Sequence, residues 1–333
     1  MTDAMGTKLK ADSSMLAQRG SILKDVNGGY TRAEVTLTQD TLQVDGETAT
    51  LTVREDGRLH FPHVVPGDPE FEEYSIPHTF TFAFTGGEWL LSQDTPHVDQ
   101  NAPVPTTHVR TYPSPRTARE ATDGLEAGPE ADAPMPALPS PGEEGAGDES
   151  EAQDPKGPPA SVESIPPDTS TPEPRAYSYN KMVDYANRYW KNRNTAYRTY
   201  DSDCTNFISQ AMRAGGWKIV DGNYFTRKDR KRWFYGPLAS TTSYTWAGAE
   251  PWYWFASKHS KRTKLLNNVW KLEPSDVLQA DWNRDNTIDH SMIVTKSGNG
   301  ERYLTYRSSN THNRKLSSLL ASHRSAWWYV HRT

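Results

Sequence analysis

Asp203-Cys204-Thr205-Asn206-Phe207-Ile208-Ser209-Gln210-Ala211-Met212-Arg213-Ala214-Gly215-Gly216 follows a polar break, Tyr200-Asp201-Ser202-Asp203. Phe207, Ile208, Ala211 and Met212 recur at helical spacing as one apolar stripe, and the paired glycines supply a stop. The stretch reads as a helix with one buried face and Cys204 in its first turn. Unpaired N–H groups and the positive end of the helix dipole favour a thiolate there, and the Cys204 N–H can help hold an oxyanion. A free cysteine is ordinarily a small buried hydrophobe. Here the stripe leaves Cys204 out and a polar turn precedes it, which favours a nucleophile.

Working outward, Ser178 to Tyr197 opens with a helix signal: Ser178 can cap, and Met182, Tyr185, Ala186, Tyr189 and Trp190 follow at spacings of three and four. Downstream, in Asp289-His290-Ser291-Met292-Ile293-Val294-Thr295, Met292 and Val294 alternate with Ser291, Ile293 and Thr295, so His290 opens a strand. Tyr303-Leu304-Thr305-Tyr306 reads as a second strand, and Ser297-Gly298-Asn299-Gly300 joins the two as a hairpin. A hairpin can bring a polar residue from the end of its second strand against the His290 ring, fixing tautomer and orientation. Asn310 is the candidate for that role and Ser308 the alternative.

The chain has 333 residues, a net charge of -5 and 35% hydrophobic residues. That length suggests two domains, and the low apolar fraction implies that part of the chain does not fold. The modest charge gives no field for nucleic acid. One cysteine excludes an intrachain disulfide and a thiolate metal cluster. No stretch reads as a membrane span, and Met1 to Gly20 lacks the apolar region of a signal peptide.

Three segments follow. Residues 18–97 are β-rich: Ala33, Val35 and Leu37 alternate with polar neighbours, as do Phe80, Phe82 and Phe84, and Asp45-Gly46, Asp56-Gly57 and Gly86-Gly87 mark turns. A small curved sheet is expected, with one short helix before it. His60, His63 and His78 in this module are read as structural. Residues 98–175 turn to Pro, Glu, Ala, Gly, Ser and Asp, the composition of a disordered acidic tether. Residues 176–333 hold most of the aromatics and form one α+β domain.

Taken together, the stretch around Cys204, the Gly215-Gly216 stop, Pro274-Ser275-Asp276-Val277-Leu278-Gln279, the stretch around His290, and Tyr303-Leu304-Thr305-Tyr306 resemble the putative amidase domain family. That family is related to the NlpC/P60 and CHAP peptidases of the papain-like group. The resemblance covers nearly all of Ser178 to Thr333. It implies a papain-like fold, cysteine-dependent hydrolysis of an amide or peptide bond, Cys204 as nucleophile, His290 as base, Asn310 as third member, no cofactor and no metal. It also implies a peptide or peptidoglycan-like substrate and a secreted or cell-wall location, against which the missing export signal counts. Related sequences often carry His where this chain has Arg307, and arginine cannot accept the imidazole proton. Two other readings stay open: acyl transfer by the same Cys-His pair, and a non-catalytic wall- or partner-binding module.

Trp246 and Trp252, from an aromatic run between Trp233 and Phe255, are candidates for a substrate groove, and Asn206 for a further substrate contact. Asp281-Trp282-Asn283-Arg284-Asp285-Asn286-Thr287-Ile288-Asp289 has the oxygen spacing of a calcium loop but Met292 at its twelfth position, so a polar turn is the simpler reading. His259, His312, His323 and His331 are expected to be ordinary surface or edge residues.

Overall fold

The computed structural model describes residues 1–99 except 27, 101–108 except 104 and 106, 156–165, and 177–333. Most of the stretch read as a tether lies outside the described residues.

The chain begins with α1 (Asp3–Lys24), whose N-cap Thr2 accepts a hydrogen bond from the Met5 N–H and whose Met5 and Leu23 are buried. This is a 22-residue helix where a short one was expected. Four antiparallel strands follow: β1 (Arg32–Asp45), β2 (Thr48–His60), β3 (Phe71–Thr85) and β4 (Glu88–Pro96). The tight β3–β4 turn has Gly86 and Gly87 at φ 63° and 84°, a conformation in which a Cβ would be strained. Every residue of β1 is exposed, and its outer edge is the end of the sheet.

The C-terminal region adds α2 (Tyr179–Tyr189), α3 (Cys204–Ala214), α4 (Tyr244–Ala247), α5 (Ala249–Tyr253), β5 (Lys264–Leu266), β6 (Val277–Asp281), β7 (His290–Gly298), β8 (Glu301–Tyr306), β9 (Thr311–Lys315), α6 (Leu316–Ser322) and β10 (Trp327–Arg332). The result is a mixed α/β structure with a β-rich N-terminal part. The two regions share one ten-stranded sheet in the order β1-β2-β3-β9-β8-β7-β6-β10-β5, with β4 also on β3. One edge of β3 is divided lengthwise: Glu73 and Tyr74 pair with His312 and Thr311 of β9, while His78 to Thr85 pair with β4. Beside this seam Arg314 and Glu72, both fully buried, form an ion pair of 3.0 Å, and the Tyr30 hydroxyl donates to the other Glu72 oxygen at 2.5 Å.

Helices cover both faces of the C-terminal sheet. On one, Phe207, Ile208 and Ala211 of α3 pack with Val277 and Ile293 and with Trp217, Trp233, Trp246, Trp252 and Phe255. On the other, Leu316 and Leu319 of α6 pack on Met292, Val294 and Leu304. Strand alternation explains the division, since neighbouring β7 residues point to opposite faces. Described residues 156–165 also lie on this region: the Ala160 N–H donates to the Trp328 carbonyl, and Ser161 pairs with Asn267 and Val269. Among the described residues no helix is long and apolar enough to cross a membrane.

Candidate active site

Cys204 opens α3, as its sequence pattern predicts, and is 3% exposed. The residue before it is the most tightly held point of the site. Asp203 Oδ1 accepts from the Tyr200 N–H (3.2 Å) and the Asn206 amide (2.8 Å), and its Oδ2 pairs with Arg307 at 3.0 Å. Both members of that ion pair are buried, and the guanidinium also donates to the Tyr189 carbonyl. The Ser308 hydroxyl accepts from the Asp203 N–H at 3.1 Å. Arg307 and Ser308 therefore brace the start of α3 rather than the His290 ring.

A buried polar chain leads away from the cysteine. Thr205 and Ser291 hydroxyls share a hydrogen bond of 3.1 Å, Gln279 donates to Ser291 at 2.9 Å, and His331 links Gln279 to Thr263 through bonds of 3.0 Å. His331 is fully buried, contrary to its reading as a surface residue, because β10 runs between β6 and β5 inside the sheet. His312 is also engaged, stacked on Trp190 and paired with Glu73, and His323 hydrogen-bonds with the Leu319 carbonyl.

Thr205, which follows Cys204, is hydrogen-bonded to Ser291 through their hydroxyls, so β7 begins beside the start of α3. Burial pushes the thiol up to about 12, and the Asp99 carboxylate adds to this. The Thr205 hydroxyl and the Ser291 and Thr205 N–H groups work in the opposite direction. His290, the first residue of β7, is fully buried, with its ring edge-on to Tyr306 (5.3 Å) and 6.2 Å from the Trp282 ring. These neighbours belong to the Met292 and Val294 side of the strand, whereas Ser291 faces α3. Burial, with His323 contributing, pushes the His290 imidazole down to about 3. At neutral pH both groups are therefore uncharged. Neither ring nitrogen has a hydrogen-bond partner among the described residues. The same holds for Asn310 Oδ1, although the Asn310 carbonyl accepts from the Ser75 N–H at 3.1 Å. The Cys-His and His-Asn hydrogen bonds of a working triad are not formed in this state.

What closes the site is a strap that follows β4. The Ser202 hydroxyl donates to Asp99 (2.8 Å), the Trp282 indole N–H to the Asn101 carbonyl (2.7 Å), and the Ser309 hydroxyl to the Pro103 carbonyl (2.8 Å). Each anchor adjoins a candidate: Ser202 lies two residues before Cys204, Trp282 touches His290, and Ser309 precedes Asn310. Ala102, at the middle of the strap, is fully buried. The sequence reading placed these residues in the tether, since they carry no periodicity and their partners lie more than 100 positions away.

Three substrate candidates are corrected. Trp246 and Trp252 are fully buried, so neither offers a ring face to a ligand. Trp252 stacks on Trp217 at 5.8 Å, and Trp246 donates to Asn206 Oδ1 at 2.8 Å. Asn206 itself is buried and engaged with Trp246, Asp203 and the Arg198 carbonyl. In the 281–289 loop, Asp281, Asn283, Asp285 and Asp289 accept from the N–H groups of Asn286, Asp285, Thr287 and Trp282, as in a chain of polar turns.

Residues 176–331 match the family model described as a putative amidase domain. Two curated relatives, both uncharacterized proteins of Bacillus subtilis (strain 168), are similar to part of the chain. YhbB is 32% identical over 130 residues, covering 38% of this chain and 40% of that protein. YjcM is 31% identical over 147 residues, covering 42% of this chain and 32% of that protein. The chain thus spans less than half the length of either relative. No solved structure matches it.

Proposed function

We propose that residues 176–333 form a papain-like cysteine amide hydrolase in which Cys204 is the nucleophile and His290 the base. The observation that carries this reading is the position of Cys204: first residue of a helix with a buried face, its neighbour Thr205 bonded to Ser291 of the strand that begins with His290, inside the segment similar to putative amidase domains. His290 takes the thiol proton, and the Cys204 thiolate attacks the amide carbonyl carbon, forming a C–S bond as the C–N bond breaks, while the Cys204 N–H helps hold the oxyanion. His290 protonates the departing amine. It then takes a proton from water, which cleaves the thioester, releases the acid and regenerates the thiol.

An orphaned buried polar atom calls for an explanation, and a catalytic role is one. The ring nitrogens of His290 and Oδ1 of Asn310 are of this kind, so Asn310 is retained as the residue that orients His290 once the strap lifts. A peptide of the peptidoglycan type is the substrate class favoured by family likeness. The closed site, with aromatic rings around His290, also suits transfer of the acyl group to an amine, and added amines competing with water would report it.

Alkylation of Cys204 by iodoacetamide across pH, in the wild type and His290→Ala, tests the pair, since Cys204 is the only thiol. Labelling that His290→Ala slows at neutral pH supports the reading. Amide hydrolysis that falls at least ~10²-fold in Cys204→Ser and in His290→Ala supports it further. Equal labelling of both proteins at all pH values sinks the assignment.

A further inference from the structure

The face of the N-terminal sheet that the strap crosses carries a second cluster of reactive side chains. The pleat sets Glu55 of β2, His78 of β3 and Asp94 of β4 on that face as diagonal neighbours, because His78 stands opposite Val53 and Pro96, two places from each. Asp94 Oδ1 holds His78 Nδ1 at 2.8 Å, which aims Nε2 away from β4. That Nε2 lies 3.3 Å from Glu55 Oε2, yet it makes no hydrogen bond, in a residue only 1% exposed. From the strap, His108 brings its Nε2 to 3.8 Å from Glu55 Oε1, while its Nδ1 hydrogen-bonds with Thr107. One ligand atom from each of Glu55, His78 and His108 lies within 4.8 Å of the others.

Glu55 is fixed by the Tyr74 hydroxyl, which donates to Oε1 at 2.6 Å. The Tyr74 ring can reach it because Gly57 lies beneath: a Cβ at Gly57 would stand 2.2 Å from ring carbons.

We propose that Glu55, His78 and His108 bind one divalent transition-metal ion, zinc by the donor set, and that this ion fastens the strap over Cys204. Two imidazoles and a carboxylate are a zinc donor set with a fourth position left for water. Donors about 2.0–2.1 Å from a tetrahedral ion stand roughly 3.3–3.4 Å apart, so the His78–Glu55 distance of 3.3 Å already fits and His108 must draw inward. The carboxylate behind His78 completes the pattern, since a ligating histidine usually donates its other N–H to such a group and is oriented by it. His78 is thereby a ligand rather than the structural residue its strand context suggests. Because His108 comes from the strap and the other two donors from the sheet, the bound ion ties one to the other. The site is independent of the proposed hydrolysis.

Zinc titration of the 333-residue chain by calorimetry, with Co²⁺ as a spectroscopic substitute, tests the site. One equivalent should bind to the wild type and to Cys204→Ser, and Co²⁺ should give visible d–d bands without a thiolate charge-transfer band. His108→Asn and Glu55→Gln should each lose the equivalent while keeping the wild-type circular dichroism spectrum. With zinc bound, alkylation of Cys204 should slow at least fivefold in the wild type and remain unchanged in His108→Asn. Failure of the folded wild type to take up an equivalent overturns the site, as does uptake that survives His108→Asn or disappears with Cys204→Ser. Alkylation unaffected by bound zinc overturns the fastening.

Discussion

Arg307 reaches across 104 positions to Asp203, and the pair is buried beside the Phe207 ring. Removing the guanidinium leaves a carboxylate buried among donors too few to hold it, at a cost of about 3–5 kcal/mol. Arg307→Ala should lower the urea midpoint accordingly, and Arg307→Lys should recover only part of the loss because it cannot also reach the Tyr189 carbonyl as the planar fork does. Acid sensitivity is a second expectation at this scale. Burial pushes the fully buried His290 and His331 down to about 3 from 6.5. Above pH 6.5 both folded and unfolded chains keep them neutral, and their contribution is intact. As pH falls from 6.5 toward 3, the unfolded chain binds protons that the folded chain refuses, and stability is lost. Urea midpoints measured at pH 7, 6, 5 and 4 should decline in that order, and a flat series would contradict the burial of these rings. Cys204 and His290 were legible because each opens an element whose period is written in its neighbours. The role of Arg307 was not, since only its departure from a family pattern is local while its partner is distant.

The strap is anchored by a hydrogen bond beside each candidate residue. Two of its anchors are the side-chain hydroxyls of Ser202 and Ser309, and each such bond contributes about 1 kcal/mol. Ser202→Ala together with Ser309→Ala should therefore raise the iodoacetamide labelling rate of Cys204 about tenfold or more, with circular dichroism unchanged. An unchanged rate would mean that the thiol is reached by another route. The hairpins of the N-terminal region could be read from Asp45-Gly46 and Gly86-Gly87, where turn chemistry is local. The strap could not be read this way, because its carbonyls and Asp99 bind partners that no spacing announces. For the same reason the aromatic run between Trp233 and Phe255 gave no sign of which rings face water. A groove and a core draw on the same residues, and here stacking and indole hydrogen bonds place Trp246 and Trp252 inside.

Across the whole molecule, one sheet and one buried ion pair join the regions that composition had set apart. Glu72→Gln or Arg314→Met alone should destabilise by about 3–5 kcal/mol, whereas the double substitution Glu72→Leu with Arg314→Met should cost distinctly less than the sum. Fluorescence from the tryptophan-rich C-terminal core and circular dichroism of the full sheet should report one coincident unfolding transition; separate midpoints would show that the seam is energetically idle. The seam was hidden from the sequence because Glu73 and His312 lie 239 positions apart. The similarity to putative amidase domains begins at residue 176, beyond every N-terminal strand that the seam engages.

That separation also sets a clock. The β3–β4 hairpin can close in roughly 1–10 μs once its residues are available. The half-edge of β3 that belongs to β9 must wait for 239 more residues, which at synthesis rates of about 5–20 residues per second takes roughly 12–48 s. During that interval Glu73 and Tyr74 present unpaired backbone groups beside a finished hairpin, an edge that another nascent chain can occupy. Yield during expression should thus depend on temperature and on the density of chains being made more steeply than the stability of the finished protein suggests.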